Sequence, residues 1–596
     1  MKRQQCVYIF LRNDLNVEEW MRSYLKRVVA IVSFISGMSR EIIRLIFQEY
    51  KRGNLMETIR LTRKNGHLTI AHDVSHAGLL QEKANLHGDR PFLKYYNQTF
   101  TYKQMDLNAN RVANYLLSIG AGPGQKLAIM MKNSPRWLDA FFGAQRIGMC
   151  AVPVNIALKG DQLLHIFNHS EARFVCIDHD LIPSFEKIKN RLVSVPQVLV
   201  NLTGCSPDFQ LPAGYLSLDR AYGTGISEQA PAIIPREGDP CLLMYTSGTT
   251  GLPKGVPTYY GKTNIRMLGV LNRTMLRSDD VYFTCLPLFH ANSLILTVTS
   301  AMNADAQVAL SEKFSASRFW DEIRATNATV FNTIGGIIPI LMKQPEKTTD
   351  RQHRVRCVLS AACPANMWEP FEKRFGVKII EGYGAVDTGG FLVLNFGQAP
   401  VGSMGKPIGS KYRIVDDNMQ DMPPGSPGEL IFYAGKKNKR PIEYYKDEKA
   451  TSSKVTDGWL HTGDLVYADK KGYLYFVGRK TESLRRRGEN ISAYEVEHAI
   501  LQYPGILECA VYAVPSELGE DDVMAAVVPI EGKTLDVKEV YAFLQEHLAR
   551  FAIPRYFRVM QELPKTETQR VIKGILSKEG VTPDTIDMEK MQNIGV

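Results

Sequence analysis

The chain lacks the cysteine spacing of a metal site. Its nine Cys are scattered and no Cys-x-x-Cys occurs, so neither a zinc site nor a disulfide framework follows, and a reducing compartment is expected. It also lacks an apolar run of membrane-spanning length. Within residues 1–64 the longest uncharged apolar stretch, Val28–Met38, falls well short of the ~20 residues a spanning helix needs. That stretch starts too far from Met1 for an ordinary cleaved signal peptide. There is no internal repeat and no low-complexity tract. No base-stacking or groove-reading module accompanies the net charge of +10, so no nucleic-acid partner is expected. What remains is ordinary for a globular protein, with 44% hydrophobic and 22% charged residues. At 596 residues the chain is too long for one core and predicts two or more units.

The charge is uneven. Residues 1–64 hold thirteen Lys or Arg and six Asp or Glu, which gives +7. Within them Val17, Trp20, Met21, Tyr24, Leu25, Val28, Val29, Val32 and Ile35 recur at helical spacing, with Arg22, Lys26 and Arg27 among or beside them. Residues 1–75 therefore predict a basic amphipathic helical arm. Two readings stay open. The arm lies on an anionic membrane surface, giving peripheral contact through residues 1–64, or it packs on the main domain or on another subunit. The expected location is cytoplasmic, with the first reading placing the protein on the inner face of a membrane.

From about Asp73 the pattern changes to alternating helix and strand. Phe100-Thr101-Tyr102 precedes a helical pattern through Leu107, Val112, Leu116 and Leu117. Strands are expected at Lys126–Met131, Cys150–Val154, Phe174–Ile177 and Gln197–Asn201. Such alternation predicts a parallel sheet covered by helices. Pro207–Pro235 reads as a connecting loop. A boundary is expected near Gly478-Arg479, followed by a basic, turn-rich segment. The fold class is α/β: a large unit of packed sheets and helices over 76–478, and a small α/β unit over 479–596.

The most telling segment follows the apolar run Leu242–Met244. Thr246, Ser247, Gly248, Thr249, Thr250 and Gly251 come in a row, then Leu252, Pro253, Lys254 and Gly255. Such a loop offers backbone N–H groups and hydroxyls to phosphate oxygens, and Lys254 adds a charge. It is not a Walker A loop, because Lys254 follows Pro253 and precedes Gly255.

This segment resembles the phosphate loop of the adenylate-forming enzymes: acyl-CoA synthetases, luciferases and peptide-synthetase adenylation domains. Further stretches resemble the same superfamily in the same order. Leu286–His290 is similar to the loop that places a His or aromatic group at the acyl site. Ser360-Ala361-Ala362-Cys363-Pro364 is similar to the segment over one face of adenine. Glu381-Gly382-Tyr383-Gly384-Ala385-Val386-Asp387 resembles the motif in which Tyr stacks on adenine and an acid holds Mg²⁺; here Val386 replaces a Thr and Asp387 a Glu. Trp459–Asp464 and Gly478-Arg479 resemble the pair that holds the ribose. Arg485–Ser492, followed by Glu495 and Glu497, resembles the branch containing carnitine or crotonobetaine CoA ligases and fatty acid transport proteins. Lys313–Trp320 and Gln352–Arg356 resemble the second of these. Pro564–Val571 is similar to the loop carrying the adenylating lysine, with Gln569 for Gly and Arg570 for Lys.

The resemblance implies an ATP-dependent acid:CoA ligase that uses ATP, Mg²⁺ and coenzyme A. A carboxylate attacks the α-phosphorus, an acyl-adenylate and pyrophosphate form, the small domain rotates, and the CoA thiol displaces AMP. It implies that Thr246–Lys254 hold the phosphates and Asp387 the magnesium. Ala361, Ala362, Tyr383, Gly384, Asp464 and Arg479 hold the adenosine, and His290 lies at the acid. Arg487, Gly488 and Glu489 meet the nucleotide of CoA, with a basic surface patch as the other reading of the arginine run. Arg570 is the mobile cation, with Lys573 and Lys565 as nearby substitutes. Thr481 takes the usual hinge position. A long-chain fatty acid is the first expectation for the substrate, from the transport-protein-like segments and the basic arm. The alternatives are a short or medium acid of carnitine type, and a membrane-associated ATP- or acyl-AMP-binding protein without turnover.

Overall fold

The computed structural model describes residues 61–64, 67–70, 75–246 and 252–593, apart from 264, 266, 267, 270–274, 335, 396, 409, 410, 435–441, 481, 482, 487, 488, 517–520 and 567–570. Two large sheets dominate. One has seven strands, with a parallel centre built from Lys126–Met130, Cys150–Pro153, Phe174–Asp178 and Gln197–Asn201. These are the expected strands. All lie in near-continuous apolar runs, as strands covered on both faces require. The strand Pro240–Tyr245 joins this sheet beside Cys150–Pro153 and turns back through Gly255–Tyr259. The other large sheet has nine strands and contains Lys378–Ala385, Cys357–Ala361 and Val330–Ile334.

The main core fills the space around the helices His76–His87, Tyr102–Ser118 and Pro135–Arg146. Thr101 and Gln104 close the second of these as a capping box, which satisfies two orphan N–H groups at once. Trp137, Phe141 and Phe142 on the third are fully buried. That helix approaches its neighbour closely because residue 143 is Gly: a Cβ there would sit 2.8 Å from Val112. The expected loop Pro207–Pro235 is interrupted by a short strand, Leu216–Ser217, and a 3₁₀ turn, Leu218–Tyr222. Tyr222 anchors it by donating to buried Asp139 at 2.7 Å.

A third, five-stranded sheet carries Gly428–Tyr433, Trp459–Ala468 and Leu474–Arg479. Beyond it, Ala493–Leu501, Ile506–Pro515, Asp521–Pro529, Val537–His547 and Tyr556–Val559 form a small α/β unit. Its two apolar clusters draw on residues 484–588, so it has its own core.

The expected helical arm lies mostly outside the described residues. Its end departs from helix: Leu61–Lys64 and His67–Ile70 pair as antiparallel strands, with Lys64 opposite His67. The residue types fit, since Thr and Ile favour strands. Among the described residues no helix is long and apolar enough to cross a membrane.

Candidate active site

The phosphate segment sits at the end of a strand pair. Tyr245 lies opposite Gly255, and the Thr246 N–H donates to the Lys254 carbonyl at 2.9 Å, closing the base of the loop. The helix Gly160–Ser170 grips this base at two points. His169 Nδ1 lies 2.9 Å from the Tyr245 hydroxyl and His165 Nε2 lies 3.0 Å from the Pro253 carbonyl. Ser247, Gly248, Thr249, Thr250 and Gly251 lie outside the described residues. Lys254 is exposed, with its ammonium 5.1 Å from the centre of the Tyr444 ring.

Tyr444 links this lysine to Asp387. Its hydroxyl donates to Asp387 Oδ2 at 2.6 Å, and Lys454 Nζ lies 3.0 Å from the same oxygen. Burial pushes the Asp387 carboxyl up, but the Lys454 charge and the Tyr444 hydroxyl outweigh it and hold the group below the usual carboxylate range. Asp387 is therefore ionised at neutral pH. It sits in the short 3₁₀ turn Val386–Thr388, where the Thr388 hydroxyl accepts from the Ala385 N–H at 2.8 Å. Val386, which stands where the family has Thr, packs beside Val256, Tyr444 and Ala450.

Asp464 lies on the strand Trp459–Ala468. Gly463 has φ +76°, a conformation that suits Gly, and the pairing register shifts between Glu429 and Ile431 opposite it. The irregularity turns the carboxylate toward Tyr383, whose hydroxyl donates to Asp464 Oδ2 at 2.6 Å. Arg479 Nε is 3.1 Å from Asp464 Oδ1. Burial raises the Asp464 carboxyl, and Arg479 and Tyr383 offset only part of that.

Glu381, Tyr444, Lys454 and Glu429 were not singled out by sequence reasoning. Glu381 is buried, and burial lifts its carboxyl to about 7 against hydrogen bonds from the Ala362 N–H, Ser360 and the Cys363 N–H. It braces the segment carrying Ala361 and Ala362, where Ala362 has φ +69°. A left-handed Ala is strained by ~1–2 kcal/mol, so the brace has something to hold. Glu429 receives the Gly463 N–H at 3.2 Å and pairs with His461 and Lys480 at 3.2 and 3.1 Å. Burial opposes its ionisation, yet hydrogen bonds from these two bring its carboxyl down to about 2. Glu381 stood inside a recognised motif; the other three carried no local signal.

Elsewhere the predicted residues scatter. His290 precedes the helical run Ala291–Asn303, and burial lowers it to about 4, so its imidazole is neutral at pH 7. Lys573 opens the helix Lys573–Glu579 and pairs with Glu497 at 2.8 Å. The Ile572 N–H donates to the Pro564 carbonyl at 2.8 Å, closing the base of the loop that carries Arg570. Arg570 itself, Thr481, Arg487 and Gly488 lie outside the described residues. Glu489 is placed only as the start of the strand Glu489–Ser492.

Magnesium needs few protein ligands: one or two carboxylates suffice when substrate phosphates and water complete the shell. Asp387 fits that requirement. It is ionised, it is oriented by Tyr444, and it already holds a cation at 3.0 Å. Among the described residues no group of three or more His, Cys, Asp or Glu is placed to hold a metal ion.

Comparison with solved structures places this architecture among adenylate-forming CoA ligases. An anthranilate CoA ligase bound to anthranoyl-AMP superposes with TM-score 0.76 at 24% identity, covering 85% of this chain and 98% of the other. The o-succinylbenzoate CoA synthetase of Bacillus subtilis, bound to ATP and magnesium, does so with TM-score 0.70 at 25% identity, covering 83% and 98%. The AMP-binding enzyme family model matches residues 80–436, and its C-terminal domain model matches 495–570. The chain belongs to the AMP-binding enzyme family. A crotonobetaine/carnitine–CoA ligase of Salmonella choleraesuis is 32% identical over 511 residues, covering 82% of this chain and 96% of that protein. The chain is thus an acid–thiol ligase of the adenylate-forming type, using ATP with Mg²⁺ and coenzyme A.

Proposed function

We propose that this ligase activates a short or medium carboxylic acid of the crotonobetaine or carnitine class. The observation carrying this is the long alignment with ligases named for those acids, 32% identical over 82% of the chain. The long-chain acid expected from the sequence is the second reading. Within the transport-protein-like segments, Phe319 and Trp320 pack against Phe283, Phe331 and Phe375, His353 stacks on Trp320 at 4.7 Å, and Arg356 pairs with Asp280. Phe319 and Trp320 thus pack in the core.

The roles of the residues follow from charge and reach. Adenylation builds charge on the α-phosphate and leaving pyrophosphate, and catalysis there is positioning plus electrostatic neutralisation. Lys254 and the Thr246 loop would hold the phosphates. Asp387 would hold magnesium, which supplies further neutralisation. Asp464 and Arg479 would fix the ribose, and Tyr383, held through its hydroxyl, would present its ring to adenine. Neutral His290 would meet the acid without competing as a cation. Arg570 would bring its guanidinium to the α-phosphate in the first half-reaction and leave when the small domain turns. Acid-dependent ATP–pyrophosphate exchange, followed by AMP release with CoA, tests this with crotonobetaine, carnitine, uncharged short acids and fatty acids of increasing length. A preference for long acids overturns the substrate reading. No exchange with any acid, in folded protein that binds ATP, overturns the residue assignments.

A further inference from the structure

Lys454 has no counterpart in the roles above, yet it stands at the centre of the site. It ends the helix Glu448–Lys454. Its ammonium lies 3.0 Å from Asp387 Oδ2 and 3.5 Å from the carbonyl of Thr462, two residues before Asp464. Only 16% of its side chain and 19% of that of Asp387 are exposed, so bulk water screens the pair weakly. The placement is enforced. Asp447 caps the helix by accepting from the Ala450 N–H at 2.8 Å. The Tyr445 N–H donates to the Gly255 carbonyl at 2.7 Å, which ties the segment before the helix to the phosphate strand. Tyr444, from that segment, orients the same carboxylate oxygen.

A carboxylate oxygen cannot keep an ammonium at this distance and also coordinate Mg²⁺ at ~2.0–2.1 Å without strong cation–cation repulsion. Mg²⁺ on either oxygen of this carboxylate is therefore favoured when the ammonium gives way. A lysine on a flexible four-carbon stem can do so, and the nearest incoming negative charge is that of the nucleotide's phosphates. We propose that Lys454 is a built-in stand-in for magnesium: it keeps the Asp387 carboxylate compensated in the empty site and competes with the metal for it. Lys454 thereby sets how much magnesium the enzyme needs to bind ATP. This rests on the reading of Asp387 as the metal's carboxylate.

The test is ATP binding by full-length protein without acid, measured calorimetrically across a magnesium titration. Lys454→Met keeps length and removes charge. It should lower the half-saturating magnesium concentration by about tenfold, the scale of one charge-assisted contact, and weaken ATP binding in EDTA, where the carboxylate then faces the phosphates uncompensated. Lys454→Arg, whose fork pairs more firmly with a carboxylate, should raise the half-saturating concentration. An unchanged or higher magnesium requirement in Lys454→Met overturns the proposal. If that variant does not fold, an unchanged or lower requirement in Lys454→Arg overturns it instead. Asp387→Asn separates the two ideas. If its magnesium dependence equals that of the unsubstituted protein, the Asp387 reading itself fails. If it shifts while Lys454→Met does not, only the competition fails.

Discussion

Two carboxylates of the site, Asp387 and Asp464, are built from the same parts and end in different states. Each receives a Tyr hydroxyl at 2.6 Å, from Tyr444 and Tyr383 respectively. Each faces one cation, Lys454 at 3.0 Å and Arg479 at 3.1 Å. Yet Asp387 is held below the ordinary carboxylate range and Asp464 above it. Burial is the largest influence on both, and the Asp464 side chain is the more buried, 8% exposed against 19% for Asp387. Lys454 acts on Asp387 through a hydrogen bond as well as its charge, and the neighbouring Asp387 charge pushes Asp464 further up. The consequence suits the proposed tasks: the carboxylate proposed for the metal keeps its charge to lower pH than the one proposed for the ribose.

The largest expected effect breaks the Asp387 half. Asp387→Asn should lower the rate of acid-dependent pyrophosphate exchange by ~10²–10³ even at saturating ATP, the usual loss when a preorganised charge contact is removed from developing charge. Asp464→Ala should act on affinity instead. It removes two charge-assisted contacts of ~1.5–3 kcal/mol each, so ATP binding weakens by at least tenfold while maximal exchange changes less. Equal effects of both variants on rate and affinity would erase the distinction between the two carboxylates.

A pH series sharpens it. With its folded value raised, Asp464 protonates first as pH falls, and Asp387 protonates later. The acid limb of ATP affinity should therefore follow Asp464 and move to lower pH in Asp464→Asn. A limb that stays where it was would assign it elsewhere. Tyr383→Phe removes a hydrogen bond that favours the charged form, so the same limb should move to higher pH, with a loss in affinity of about 1 kcal/mol.

The smallest effect concerns stability rather than chemistry. Burial raises Glu381 to about 7 from an ordinary 4.5. A raised carboxyl contributes stability that is complete below its unfolded value and lost as pH climbs through the folded one. Stability should therefore fall between about pH 4.5 and 7 in the unsubstituted protein. Glu381→Gln should flatten that slope in thermal denaturation followed across this range.

Much of this protein is written in its sequence. The order of the motifs from Thr246 to Arg479 identified the family. Apolar runs located the parallel strands, because a strand covered on both faces has nowhere to put polar side chains. The small unit was legible from the shift in character after Arg479. The sequence left the acid open, because Phe319, Trp320 and His353, which look like a family signature, are placed in core packing. It was silent on the partners of the two carboxylates. Tyr444 and Lys454 lie in a segment with no motif and reach Asp387 only because that segment is hydrogen-bonded to the phosphate strand through Tyr445 and Gly255. Which residues bear chemistry could be read along the chain, since that depends on side-chain type and local spacing. Whether each carboxylate is charged could not, since that depends on burial and on cations brought near by contacts that only the tertiary fold creates.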